Sequence, residues 1–129
     1  MGAAIAIRNE TIEYIVRVKT PNVLNNSHGH WRTVAGIRKA QRAAAMLTTR
    51  LHLRRWDGAP LTITLTRLSA GTLDAHDALP ASQKSIVDGI ADALGLASDS
   101  DPRLTWRYGQ ERCKRGEYGV RVSIERSGP

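Results

Sequence analysis

Apolar residues recur at every second position in TIEYIVRV (11–18), at every third or fourth from Trp31 to about Arg55, and at every second again in LTITLTRL (61–68). A period of two belongs to a half-buried strand, and a period near 3.6 to a helix with one apolar face. This switching of period restricts the fold more than any other feature of the chain. In the first run Ile12, Tyr14, Val16 and Val18 share a face. In the second, Val34, Ile37, Ala40, Ala44, Leu47 and Leu51 make one stripe. In the third, Leu61, Ile63 and Leu65 oppose Thr62, Thr64 and Thr66. A second helical stripe (Ile86, Ile90 and Leu94, with Val87 and Ala91 beside them) follows Pro80, which suits a first helical turn, and closes near Gly95. LTWRYGQERCKRGEYGVRVSIE (104–125) reads as a hairpin turning at KRGE, with Leu104, Trp106 and Tyr108 alternating out and Tyr118, Val120, Val122 and Ile124 alternating back. The expectation is a single α+β domain over residues 1–129: a small mixed sheet in the order β-α-β-α-β-β with helices packed on it.

A chain of 129 residues can bury one real core. Its only cysteine, Cys113, excludes an internal disulfide and fits a reducing compartment. No apolar run reaches membrane-spanning length, and MGAAIAIRNE lacks a basic leader followed by a long apolar segment, so no membrane and a cytoplasmic location are expected. The net charge of +7 attracts polyanions, of which nucleic acid is the commonest in cytoplasm. The first helix concentrates that charge. Arg32, Arg38, Lys39, Arg42, Arg50, Arg54 and Arg55 lie on it or at its end, and no acid occurs from Trp31 to Trp56. Such a face can be merely solvated; its complete lack of acids favours phosphate contact.

Against this background, TLDAHDALPASQKSIVDGIADALG (72–95) gathers four aspartates around one lysine. Asp74 and Asp77 fall between a strand and a helix, where side chains converge. Two close carboxylates stay ionised together only with a cation between them. Magnesium is usually held by one or two carboxylates, several waters and a substrate phosphate. Asp99 or Asp101, after the helix, can supply a third carboxylate. The structural alternatives are simpler: Asp77 as a helix cap, and Lys84 with Asp88 as an i,i+4 pair. His28 and His30 are spaced like metal ligands but have no neighbouring carboxylate. A DNA-contacting loop suits them better, with Asn25 and Asn26 offering amides to phosphates. His76 reads as a neutral spectator, Trp106 and Tyr108 as core or dimer interface first and base-stacking residues second, and Cys113 as a packing residue.

LDAHDAL, Lys84, DGIADALG and ASDSDPR follow one another in an order that resembles the RusA family of Holliday junction resolvases. TPNVLNNSHGHW (20–31) is similar to that family's Pro- and Asn-rich loop. The likeness runs from about Tyr14 to Ile124. Where the family has Asp-x-Asp-Asn-Leu, this chain has Asp74, Asp77, Ala78 and Leu79, with one extra residue between the acids. The resemblance implies a homodimeric, magnesium-dependent endonuclease that makes paired cuts in four-way or otherwise branched DNA, in recombination and repair. It implies catalytic roles for Asp74, Asp77, Lys84 and Asp99, and metal-ligand roles for Asp74, Asp77 and Asp99 or Asp101, with Asp99 preferred for its distance from the helix. The DNA surface expected with it comprises Asn25, Asn26, His30, Arg32, Arg38, Lys39 and Arg42. The rival readings are a non-catalytic DNA-binding relative with a degenerate metal site, and a subunit that binds a protein partner through its basic helix.

Overall fold

The computed structural model describes residues 11–20, 31–53, 55–72 and 78–127, with side chains from residue 34 onward in the first helix. It contains β1 (Ile12–Val16), α1 (Trp31–His52), β2 (Leu61–Ser69), α2 (Ala78–Ala93), β3 (Leu104–Arg112) and β4 (Gly119–Arg126). The architecture is α+β, a mixed four-stranded sheet with two helices. The sheet order is β1-β4-β2-β3. β4 runs antiparallel to both its neighbours, while β2 and β3 pair in parallel through the crossover helix α2.

The expected hairpin between β3 and β4 is therefore corrected. The turn at KRGE exists, with Glu117 N donating to Lys114 O at 3.0 Å and Gly116 at a positive φ of 93°. The strands it joins are not neighbours, because β2 lies between them. Leu61, Ile63, Leu65 and Leu68 are buried along the length of β2, and a long apolar face is better placed inside a sheet than at its edge. Arg121 on β4 reaches over β2 to Glu111 on β3, at 2.7 Å.

Register puts like side chains in rows across the core face. One row is Ile12, Ile124, Ile63 and Trp106; the next is Tyr14, Val122, Leu65 and Tyr108. The third starts with Val16 and Val120 but ends with Arg67 and Gln110. Polarity thus enters the core face where β1, β2 and β3 end. Leu61, Ile63, Leu65, Val120, Val122 and Ile124 have no exposed surface, and each such side chain contributes about 1.5–3 kcal/mol on burial.

α2 carries Ile86, Val87 and Ile90 into that core and also buries Leu79. Its end is a Schellman cap: Leu96 N donates to Ala91 O and Gly95 N to Asp92 O, both at 3.0 Å, with Gly95 at φ 78°. The helices touch where α2 lacks a side chain. A Cβ on Gly89 would run into the carbonyl oxygen of Arg42 and stand 2.8 Å from Ala45 Cβ.

The apolar stripe expected on α1 needs a second correction. Leu47 and Leu51 are 57% and 71% exposed, whereas Gln41, Ala45 and Thr49 are buried. The packed face is one residue step, roughly 100°, from the stripe. Its polar members are satisfied by β1 and the chain after it. Tyr14 Oη and Thr49 Oγ1 are 2.6 Å apart, and Gln41 Nε2 donates to Lys19 O at 2.8 Å. Burial pushes the Tyr14 phenol far above its ordinary range, so it stays neutral in this contact.

Candidate functional site

Lys84 lies on the first half of α2, one helical turn before Asp88. Its Nζ stands 3.0 Å from Asp88 Oδ1 and 3.0 Å from Asp99 Oδ1. The i,i+4 spacing produces the first contact. The second depends on the loop after α2 folding back along the helix. Trp106 Nε1 holds that loop by donating to Asp99 O at 2.8 Å. Asp88, then Asp99, raise the Lys84 pKa by favouring its charged form. More than half of the Lys84 side chain is exposed, at 58%, and ion pairs at such exposure contribute only about 0–1 kcal/mol. The arrangement thus positions an ammonium and two carboxylates more than it stabilises the fold.

Tyr108, on the edge strand β3, is the fourth member. Burial first, and then the negative charge of Asp99, raise its phenol pKa. Tyr108 is 37% exposed, so its ring borders this group as well as the core face.

Asp101 is placed differently from Asp99. Its Oδ1 accepts from Arg103 N at 2.9 Å and from Arg103 Nε at 3.0 Å, and its Oδ2 lies 3.0 Å from Arg103 Nη2. This fork and the backbone donor hold the carboxyl down to about 2. Arg103 in turn lies 4.7 Å from the Trp56 ring centre. Asp101 therefore ties the loop to the turn after α1, while Asp99 meets Lys84.

On the α1 side, Lys84 and Asp88 face a cleft of about 540 Å³ that α1 lines with Arg38, Lys39 and Arg42. Arg42 has a partner that its own helix does not provide. Its Nε and Nη2 lie 2.7 and 2.9 Å from the two oxygens of Asp92 on α2. Arg42 holds the Asp92 carboxyl below its ordinary range.

Arg67 has no part in the sequence reading and takes a structural role beside this region. Buried at 7% exposure, it donates from Nε to Thr20 O and Thr20 Oγ1, both at 3.1 Å, and from Nη1 to Gly71 O at 2.9 Å. It joins the chain leaving β1 to the chain leaving β2. The visible signal is one of phase: Leu61, Ile63 and Leu65 place residue 67 on the core face, where a cation needs several acceptors.

Asp74, Asp77, His76, Asn25, Asn26, His28 and His30 lie outside the described residues, as does the Arg32 side chain. Among the described residues, no three His, Cys, Asp or Glu side chains form a metal-holding group, and no helix is long and apolar enough to cross a membrane. No family model, curated protein or solved structure matches this chain.

Proposed function

We propose that the chain is a magnesium-dependent endonuclease that cuts four-way DNA junctions as a homodimer in the cytoplasm. The observation that carries this reading is the Lys84 ammonium held between Asp88 and Asp99 beside a cleft lined with basic residues. The two carboxylates already face one cation, and carboxylate oxygens are the donors that a hard divalent ion takes. Asp99, with Asp74 and Asp77 from the segment that enters α2, would hold the metal.

Bound magnesium would supply an activated water and neutralise charge on the phosphoryl oxygens. The protein's own groups do the remaining work. Arg38, Lys39 and Arg42 attract the DNA backbone, and Lys84 offers positive charge beside the phosphorus centre as its charge builds. The Trp106 indole keeps the Asp99 loop against α2. A four-way junction has approximate two-fold symmetry, so two copies present one site to each of two equivalent strands. Leu47 and Leu51 offer exposed apolar area for such pairing.

The test is a synthetic four-way junction incubated with and without magnesium. The wild-type chain is expected to cut two opposed strands only when magnesium is present. Asp77→Asn is expected to bind the junction and leave it whole. Asn and Asp cap helices about equally, so normal cutting by Asp77→Asn would mean that Asp77 is only a cap and would end the catalytic assignment. Binding without cutting by the wild type would point to the non-catalytic relative.

A further inference from the structure

The nuclease reading uses the charge of the cleft between the helices but not its shape. α1 and α2 are pressed together at Gly89, where a side chain would meet the Arg42 carbonyl and Ala45. Toward the start of α2 the lining residues are small, Ala81 and Ser85, and a space of about 540 Å³ remains between the helices. Four cations line it against one carboxylate, Asp88.

Those cations are not equivalent. Arg42 is forked onto Asp92, and Lys84 is shared by Asp88 and Asp99. Arg38 and Lys39 make no ion pair among the described residues. They are adjacent on α1, both are exposed, and both face the small side chains of α2. A volume of this size is that of a small-ligand site. At about 540 Å³ the cleft has room for a phosphate and sugar of one strand but not for a duplex.

We propose that this cleft seats one backbone phosphate of a single DNA strand, with Arg38 and Lys39 as its two ligating cations and Lys84 at the end nearest Asp99. The proposal rests on the nuclease reading and adds to it a defined subsite. The strand that parts from the duplex at the branch enters between the helices, and the neighbouring phosphate is delivered to Lys84 and Asp99. The seat selects strands able to leave a duplex, so branched DNA is held more tightly than a linear duplex of the same length. Arg42 contributes less to the seat than Arg38 and Lys39, because Asp92 already engages its Nε and Nη2.

Methylphosphonate substitution, which removes the charge of one phosphate, tests the seat. A four-way junction carrying it at successive single positions near the branch is titrated, without divalent ions, against the wild type and an Arg38→Met/Lys39→Met double variant. Both side chains are exposed, and an unchanged melting temperature verifies that the double variant is folded. The expected result is one position at which the wild type loses about tenfold in affinity, with the double variant about tenfold weaker on unmodified DNA and showing no further loss at that position. Equal losses for both proteins at every position would overturn the seat, because the two cations would then act as a diffuse field. If the wild type still cuts the junction in magnesium, that result leaves the nuclease reading standing. Coupling at one position without any cutting would uphold the seat and end the nuclease reading. A wild-type chain that binds no junction would end both.

Discussion

Lys84 joins two parts of the chain that sequence spacing relates in very different ways. Asp88 lies one helical turn away and is an expected neighbour. Asp99 becomes a neighbour only through the returning loop, which Trp106 anchors by its backbone carbonyl. Asp99 and Asp101 are two residues apart, yet one meets Lys84 and the other is forked onto Arg103. That difference gives a pH prediction. The Asp101 carboxyl is held at about 2, below the usual carboxylate range, by the Arg103 side chain and then the Arg103 amide. A depressed folded-state pKa gives stability that is fully present above the unfolded pKa and is lost as pH falls through the folded value. Asp101→Asn is therefore expected to melt below the wild type at pH 6, with the gap closing between about pH 4 and pH 2. Melting curves across that interval check it. A gap that stays constant down to pH 2 would mean that the carboxylate charge contributes nothing to the loop.

Helix α1 shows why an apolar stripe is a poor guide when hydrogen bonds take part in the packing. Gln41 and Thr49 face inward because Lys19 O and the Tyr14 hydroxyl satisfy them, and Ala45 fits beneath Gly89. Leu47 and Leu51, one step around the helix, stay exposed. The helix pair therefore depends on a missing side chain. Gly89→Ala puts a methyl group against the Arg42 carbonyl, and backbone cannot yield as a flexible side-chain end can. It should destabilise the fold by about 3 kcal/mol, at the upper end of overpacking costs. Urea unfolding measures this directly. A loss below 1 kcal/mol would show that the helices separate easily. Since the cleft opens from this crossing, the same variant should also weaken junction binding.

The net charge of +7 belongs to the whole chain, but the structure distributes it unevenly. Among the described residues, four ion pairs engage α2 aspartates or the loop that follows α2. Arg42 is paired across the helix interface, while Arg38 and Lys39 form no ion pair with a described residue. Junction affinity should fall with salt by about 0.9 logarithmic units per tenfold increase for each phosphate neutralised. Removing both Arg38 and Lys39 should flatten that slope by about one phosphate's worth, and Arg42→Met by clearly less. Fluorescence anisotropy at a series of salt concentrations reads both slopes. Equal flattening by Arg42→Met and by either single cation would mean that the Asp92 pair opens when DNA binds.

The two hydrophobic periods were enough to place six elements in order, because burial of alternate or every third to fourth residue is a local property of chain geometry. LTITLTRL is a strand in any fold that buries Leu61, Ile63 and Leu65. The acidic segment before α2 and the basic character of α1 were legible for the same reason: charge and spacing are written along the chain. Pairing was not. Local alternation in β3 and β4, with a turn between them, fits a hairpin equally well. Only the whole sheet decides that β4 lies between β1 and β2, where Val120, Val122 and Ile124 meet partners on both sides. Distance from the helix favoured Asp99 over Asp101, but spacing could not foresee that Asp101 would fork onto Arg103 or that Asp92 would pair with Arg42. Those outcomes depend on where a loop and a second helix come to rest, since ionic and hydrogen-bond partners are chosen by proximity in space.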